Sequence, residues 1–188
     1  MKVTETSLPG VLLIEPKVFG DPRGFFVETY HQERYTEHGI AGPFVQNNLS
    51  LSANGVIRGL HLQNPNTQGK LVQVLRGEVF DVAVDVRVGS PNYGQWTAVT
   101  LSSEKRNQLY VPPDFAHGFA VLSEEALISY QCTDYYAPES ALFIRWDDPD
   151  IGIDWPFRDP SLSPQDEEAV PLSEIDSAKL PRFGGTAA

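Results

Sequence analysis

The residues best suited to chemistry lie between positions 58 and 70, where Arg58-Gly59-Leu60-His61 is followed by Lys70. A lone histidine in an apolar strand is more often structural than catalytic. Here, however, an imidazole lies close in sequence to two cations, which are costly to bury in a core but useful for binding an anionic substrate. The segment therefore predicts an anion site beside a histidine that can take up or release a proton near neutral pH.

The spacing of Arg58 and His61 needs a local irregularity if both are to serve one site. Strict alternation along a strand would place them on opposite faces. Gly59 lies between them, and a glycine inside a strand pattern is typical of a β-bulge. We therefore predict that a bulge at Gly59 brings both side chains into one cavity.

Two further residues are open to either a functional or a structural interpretation. His117 follows the turn-like sequence Pro112-Pro113-Asp114, so it suits a turn as well as a site. Tyr130 shares a predicted strand face with Ala126, Ile128 and Cys132, which belong inside the protein. A tyrosine in such a place packs in the core or supplies a phenolic proton.

Known signatures of metal and cofactor chemistry are missing from the sequence. Metal sites on small β-barrels usually show two histidines one residue apart, then a carboxylate. Here the residue two after His61 is Gln63, and no acid lies between Gln63 and Lys70. The sequence also lacks a glycine-rich phosphate loop, a Gly-x-Ser-x-Gly elbow and a Cys-x-x-Cys pair. We therefore predict no bound metal, and the sequence gives no support to nucleotide hydrolysis, serine hydrolase or redox chemistry.

The composition narrows the class of protein further. The 188 residues carry 14 Lys and Arg against 25 Asp and Glu, a net charge of −11, which argues against nucleic acid or an anionic membrane as a partner. No apolar stretch approaches the roughly 18 residues of a membrane span. One cysteine, Cys132, and a polar start to the chain favour the cytoplasm. The length predicts one domain over 1–188, with 184–188 as a disordered tail.

The elements that must position these residues are mostly strands. Residues 80–87 alternate between Phe or Val and mainly polar residues, which is typical of a strand with unlike faces, and Arg76-Gly77 suggests a hairpin over 70–87. Short helices are predicted at 31–38 and from Ser163. Further strands are predicted at 11–16, 24–30, 44–52, 56–63, 95–102, 108–111, 117–122, 126–133 and 142–146. About ten short strands separated by Gly, Pro, Asn and Asp predict an all-β sandwich or barrel.

Several motifs in the same order resemble those of the dTDP-4-dehydrorhamnose 3,5-epimerase family, over residues 8 to about 170. The resemblance implies an all-β, antiparallel, cupin-like jelly-roll barrel of short strands with a few short peripheral helices. The motifs are Glu15-Pro16-Lys17-Val18-Phe19-Gly20-Asp21-Pro22-Arg23-Gly24-Phe25-Phe26, Phe44-Val45-Gln46-Asn47-Asn48, Arg58-Gly59-Leu60-His61, Gln68-Gly69-Lys70, Gly77-Glu78-Val79-Phe80-Asp81, Phe115-Ala116-His117-Gly118-Phe119 and Thr133-Asp134-Tyr135-Tyr136.

The resemblance also implies an activity and a catalytic set. Family members invert C3 and C5 of dTDP-4-dehydro-6-deoxy-D-glucose to give dTDP-4-dehydro-L-rhamnose, without metal or organic cofactor. On this pattern His61 is the base, Asp166 is its carboxylate partner and Tyr130 is the acid on the opposite face. Lys70 would lie beside the oxygen of the enolate.

For substrate binding, the resemblance implies contacts from two subunits of a homodimer. Arg23 and Glu28 would reach the site of the neighbouring subunit, and Tyr136 would stack on thymine. The remaining implied binding residues are Gln46, Asn48, Arg58 and His117. Two positions that usually hold an acid and a lysine are Ala141 and Gln165 here, which affects nucleotide contacts rather than the chemistry.

Three other functions remain open at this point. A mono-epimerase that inverts only C3 or only C5 of a related dTDP-4-keto-deoxysugar would carry much the same residues. A sugar-nucleotide-binding or structural cupin without catalysis is disfavoured because base, acid and Asp166 occur together. A metal-dependent cupin oxygenase or isomerase would require a metal, for which the sequence offers few ligands.

Overall fold

The computed structural model describes residues 1–40 and 42–184, and most of its regular structure is antiparallel β-sheet. Two short α-helices are described, α1 (Gln32–Thr36) and α2 (Pro164–Glu167), with 3₁₀ turns at Pro138–Ser140, Leu172–Glu174 and Ser177–Lys179. The described strands are β1 (Lys2–Glu5), β2 (Leu12–Glu15), β3 (Val18–Asp21), β4 (Gly24–Val27), β5 (Gln46–Ala53), β6 (Ile57–Gln63), β7 (Lys70–Arg76), β8 (Glu78–Asp85), β9 (Trp96–Ser102), β10 (Gln108–Val111), β11 (Phe115–Val121), β12 (Glu125–Cys132) and β13 (Ala141–Phe143).

The strands form two packed sheets and one separate hairpin. The larger sheet has the order β1-β2-β10-β7-β12-β5, and the smaller has the order β13-β6-β11-β8-β9. Within the described part of the chain, strands β3 and β4 pair only with each other. The all-β, antiparallel jelly-roll architecture with short peripheral helices is therefore confirmed.

The predicted hairpin over 70–87 is wrong. Strand β7 pairs with β10 and β12 in the larger sheet, whereas β8 pairs with β9 and β11 in the smaller. Gly77 joins them with φ of +81°, and a Cβ at this residue would lie 2.1 Å from the carbonyl oxygen of Glu125. The Arg76-Gly77 turn therefore carries the chain from one sheet across to the other.

The smaller sheet is buried on both faces. Its inner face packs on the larger sheet through fully buried residues such as Val79, and its outer face is covered by a cluster that includes Val84, Trp155 and Leu180. The alternation in residues 80–87 therefore does not separate a solvent-exposed face from a buried one. Asp81 and Asp85 of β8 are buried, and each has a partner of its own, His117 and Arg87 respectively.

The remaining elements follow the predictions with shifted ends. The predicted helix 31–38 contracts to α1, and the predicted strand 24–30 ends at Val27, while β1 and β3 are strands that the pattern did not reveal. Among the described residues, no helix is long and apolar enough to cross a membrane. The predicted tail at 184–188 lies outside the described residues except for Gly184, which is in a turn.

Candidate active site

A cavity of about 420 Å³ lies between the two sheets, lined by strands of both and by α2. Most of the predicted site residues meet there. The larger sheet contributes Gln46, Asn48, Lys70 and Tyr130; the smaller sheet and the surrounding segments contribute Arg58, His61, Tyr136 and Asp166.

A β-bulge brings Arg58 and His61 to this cavity. In the pairing of β6 with β11, His61 lies opposite His117 and Arg58 lies opposite Phe119, so β6 has one extra residue over this interval. Gly59 has φ of +130°, and a Cβ there would lie 2.5 Å from the Cα of Gly118. The predicted bulge is confirmed, and only glycine fits the close approach of these two strands.

His61 and Asp166 form a hydrogen-bonded pair. The distance from His61 Nε2 to Asp166 Oδ1 is 2.5 Å, and the carboxylate is 2% exposed whereas the imidazole is 37% exposed. The carboxylate holds the imidazole proton on Nε2, which leaves the Nδ1 lone pair free to accept another proton. The pair therefore has the arrangement of a general base with its orienting acid.

The start of α2 positions Asp166. Ser163 is the N-cap, and its hydroxyl accepts a hydrogen bond from the backbone N–H of Asp166 at 3.2 Å. The same hydroxyl donates to Asp166 Oδ2 at 2.8 Å, which leaves Oδ1 for His61. Asp166 therefore bonds back to the N-cap at the start of the helix and also orients the histidine.

Lys70 lies on the larger sheet, directly across from Cys132 of β12. Burial lowers the pKa of the Lys70 ammonium, while the neighbouring Cys132 thiol and the charge of Asp81 act in the opposite direction. The ammonium faces a cavity in which developing negative charge on a ligand would be the complementary group.

Tyr130 lies on the same sheet as Lys70, on the wall opposite the strand that carries His61. Burial raises the pKa of the Tyr130 phenol, Cys132 raises it further, and the Arg58 guanidinium partly offsets the change. The phenol therefore keeps its proton at neutral pH and is able to donate it. A base on one wall and a neutral acid on the other suit the transfer of protons to opposite faces of a ligand.

His117 lies in the protein wall beside this pair rather than among the residues that line the cavity. It is buried, and its Nε2 lies 2.8 Å from Oδ1 of Asp81, which is also buried. Sequence reasoning missed Asp81 as its partner, although an acid inside a strand of Phe and Val residues is a signal of a buried pair.

Arg23 and Glu28 do not line the cavity of their own chain. Arg23 lies at the tip of the β3–β4 hairpin and forms an exposed ion pair with Asp21, and Glu28 pairs with Arg34. Within one chain, the structure therefore does not bring Arg23 and Glu28 to the other predicted site residues.

Several lining residues were not predicted as part of a site. Ser163 and Gln165 were noted only for the helix start and the departure from the motif, and Gln63 only as a residue that is not a second histidine. The side chains that complete the lining are Leu62, Gln63, Gln68, Ala141, Leu142, Phe143, Ser163 and Gln165.

A sequence model of the dTDP-4-dehydrorhamnose 3,5-epimerase family matches residues 5–174. The chain belongs to this family. The dTDP-4-dehydrorhamnose 3,5-epimerase of Methanothermobacter thermautotrophicus is 51% identical over 173 residues, which are 90% of this chain and 94% of that protein. A similar solved structure is the crystal structure of dTDP-6-deoxy-D-glucose-3,5-epimerase from Legionella pneumophila in complex with dTDP-4-keto-L-rhamnose. Its sequence is 52% identical to this chain, and the two structures have a TM-score of 0.94, with 97% of this chain and 98% of that chain covered.

One relative is named for a narrower activity. The dTDP-4-dehydrorhamnose 3-epimerase of Streptomyces niveus is 40% identical over 187 residues, which are 97% of this chain and 90% of that protein. The identity to the Methanothermobacter thermautotrophicus 3,5-epimerase, 51%, is higher than the 40% identity to this 3-epimerase.

Proposed function

We propose that the protein is a dTDP-4-dehydrorhamnose 3,5-epimerase, an isomerase that converts dTDP-4-dehydro-6-deoxy-D-glucose to dTDP-4-dehydro-L-rhamnose. The observation that carries the proposal is the His61–Asp166 pair on one wall of a cavity whose opposite wall holds Tyr130 and Lys70. Family membership and about 50% identity to named 3,5-epimerases favour this activity over single inversion.

The geometry accounts for inversion next to a ketone. The C4 carbonyl acidifies the C–H bonds at both C3 and C5, so one base and one acid can serve both carbons in turn. His61 Nδ1 takes the proton from carbon, the C–H electron pair becomes the enolate, and Asp166 stabilises the imidazolium. The Lys70 ammonium stabilises the enolate oxygen, and Tyr130 returns a proton to the other face of the carbon. Proton exchange with water then returns His61 to its neutral form and Tyr130 to its protonated form.

The rim of the cavity suits a nucleoside diphosphate. Arg58 is held by a 3.0 Å hydrogen bond from its Nε to Ser52 Oγ, which directs a cation toward the anionic part of the substrate. Tyr136 is 59% exposed beside the cavity and offers a flat surface for thymine. Gln46 and Asn48 supply amide groups nearby, and His117 would act from the buried wall. Ala141 and Gln165 stand where the family usually has an acid and a lysine, so the contacts at the nucleotide end would differ from the family pattern.

We propose a homodimer in which each subunit completes the site of the other. Strand β5 is at the edge of the larger sheet, and it exposes Leu49 and Leu51. The β3–β4 hairpin exposes Phe25 and Phe26 in addition. Apolar surface of this kind is typical of an interface, and a partner seated on it would receive Arg23 and Glu28. Location in the cytoplasm remains a prediction from the sequence.

The activity is tested by proton NMR of the purified protein with dTDP-4-dehydro-6-deoxy-D-glucose in D₂O. We expect deuterium to enter at both C3 and C5 and the L-rhamno product to accumulate. Exchange and inversion at one carbon alone would identify a mono-epimerase, and no exchange at either carbon would rule out the epimerase. Metal analysis of the same sample tests the prediction that no metal is bound.

The Asp166→Asn variant should lose activity without losing the fold. Asparagine keeps an oxygen that can accept the Nε2–H of His61, but it removes the charge that stabilises the imidazolium. We expect turnover to fall by about 10–100-fold, with the melting temperature nearly unchanged. Glu167→Gln, which removes a charge from the same helix, serves as the control. Unchanged turnover in Asp166→Asn would leave Asp166 with a capping role only.

The Lys70→Met variant should be more stable and less active than the wild type. Burial lowers the pKa of Lys70 from its ordinary 10.5, so the unfolded chain binds this proton more tightly than the folded protein does. The protonated lysine therefore costs stability at neutral pH, and this cost diminishes as pH rises from the folded pKa toward 10.5.

Melting temperatures of the wild type and Lys70→Met at pH 7 and pH 10 test whether the protonated lysine lowers stability and whether this cost diminishes as pH rises. We expect the variant to melt higher at pH 7, with each kcal/mol worth about 2–4 °C, and the gap to narrow at pH 10. Lys105→Met removes an exposed lysine and should show neither effect. A lower melting temperature for Lys70→Met at pH 7 would contradict the prediction.

A further inference from the structure

The loop that carries Tyr136 has no regular secondary structure. Residues 133–137 lie between the end of β12 at Cys132 and the 3₁₀ turn that begins at Pro138, and the rings of both Tyr135 and Tyr136 are largely exposed. A loop with exposed side chains and no sheet pairing samples many conformations unless its backbone is anchored. The loop can therefore serve as a binding surface only if other residues hold its backbone in place.

The anchor is the carboxamide of Gln63, at the end of β6. Its Nε2 donates to the carbonyl oxygen of Tyr135 at 3.2 Å and to that of Asn66 at 2.7 Å. Its Oε1 accepts from the backbone N–H of Ala137 at 3.0 Å. The residues on both sides of Tyr136 are therefore fixed by one side chain, which is itself 5% exposed.

Neighbouring amides support the same loop. The N–H of Tyr136 donates to Gln46 Oε1 at 2.9 Å, and Gln68 Nε2 donates to the carbonyl oxygen of Asp134 at 2.8 Å. Gln63 differs from these two because it both donates to the loop and accepts from it. Only an amide side chain of this length provides two N–H donors and one oxygen acceptor at these positions.

We propose that Gln63 is a positioning residue, which holds the loop so that the Tyr136 ring is already in place to stack on the base of a nucleoside diphosphate. The inference rests on the proposed function, because it assigns the aromatic surface to the nucleotide end of the substrate. Gln63 acts here through the backbone on either side of Tyr136 rather than on the reacting carbons.

The test compares Gln63→Met with Gln32→Met, which makes the same change at an exposed glutamine. Methionine has a similar length but neither donates to Tyr135 nor accepts from Ala137. We expect the Kd for dTDP, measured by calorimetry, and the KM for the sugar nucleotide to rise about tenfold, because the loop would be correctly placed only about a tenth of the time. The value of kcat should stay within about threefold of the wild type.

A double-mutant cycle with Tyr136→Ala shows whether Gln63 acts through the ring. In the Tyr136→Ala protein, Gln63→Met should raise the Kd for dTDP by less than about twofold. An unchanged Kd in the single variant, a full tenfold loss in the Tyr136→Ala background, or a fall in kcat at unchanged Kd would overturn the proposal. Failure of the wild-type protein to bind dTDP would instead overturn the proposed function. The two failures are therefore distinguishable, because one is measured in the wild type and the other in the variants.

Hydrogen exchange of the wild-type protein supplies a measurement that does not depend on the folding of a variant. We expect the amides of Tyr136 and Ala137 to be protected although they lie outside any sheet. Exchange of both amides at the rate of an unstructured peptide would also overturn the proposal.

Discussion

Replacement of His61 with asparagine is expected to reduce turnover by about 10²–10⁴-fold, the usual cost of losing a general base. Asparagine can still donate a hydrogen bond from its amide to the Asp166 carboxylate, but it has no group that takes up a proton near neutral pH. Deuterium exchange at C3 and C5 should fall in parallel with product formation, because removal of the proton precedes every later step. Initial rates and exchange measured by NMR in D₂O provide both values.

His38→Asn is the matched control for this variant. His38 is exposed, beyond the end of α1, so the same chemical change there should leave turnover and exchange as they are in the wild type. Circular dichroism and the melting temperature establish that the fold is kept. Near-normal exchange in His61→Asn would show that another group takes the proton from carbon.

Replacement of Tyr130 with phenylalanine is expected to separate exchange from inversion. His61 and Lys70 remain, so the enolate still forms and His61 can return a deuteron to the face from which it took the proton. Delivery to the opposite face requires the phenol, and we expect net inversion to fall by about 10²–10⁴-fold. The substrate should therefore become labelled with deuterium while keeping its configuration.

Tyr93→Phe, at an exposed tyrosine, provides the comparison, and it should leave both processes unchanged. If Tyr130→Phe inverts both carbons at the normal rate, Tyr130 is a packing residue and the acid is elsewhere. If exchange and inversion fall together, Tyr130 contributes to formation of the enolate rather than only to its reprotonation.

The sequence predicts local features of this fold better than it predicts which sheet a strand joins. A glycine between two charged or polar strand residues indicated the bulge at Gly59, and Ser163 with Asp166 indicated a helix start. The turn at Gly77 looked like that of a hairpin, because a positive φ suits either a hairpin or a crossing between sheets. The difference depends on contacts with Glu125, which is distant in sequence.

In the candidate site too, local motifs could be predicted from the sequence, whereas contacts between distant segments could not. The catalytic set was identified through motifs that resemble those of a family, and the structure brings His61, Asp166, Lys70 and Tyr130 to one cavity. The partner of His117 and the anchoring role of Gln63 arise from pairing and loop contacts between distant segments. Single-residue properties and local spacing contain no information about such contacts, so those roles emerge only in the folded chain.

The proposed base and the proposed acid are attached to different sheets, and this separation links stereochemistry to core packing. The distance between the two proton-transferring groups is set by the side chains that fill the space between the sheets, such as Val79 and Ile128. A core substitution that preserves the free energy of unfolding can still change this spacing, and with it the share of enolates that receive their proton on the new face. Under the proposed mechanism, the packing of this core consequently affects two properties, the stability of the fold and the handedness of the product.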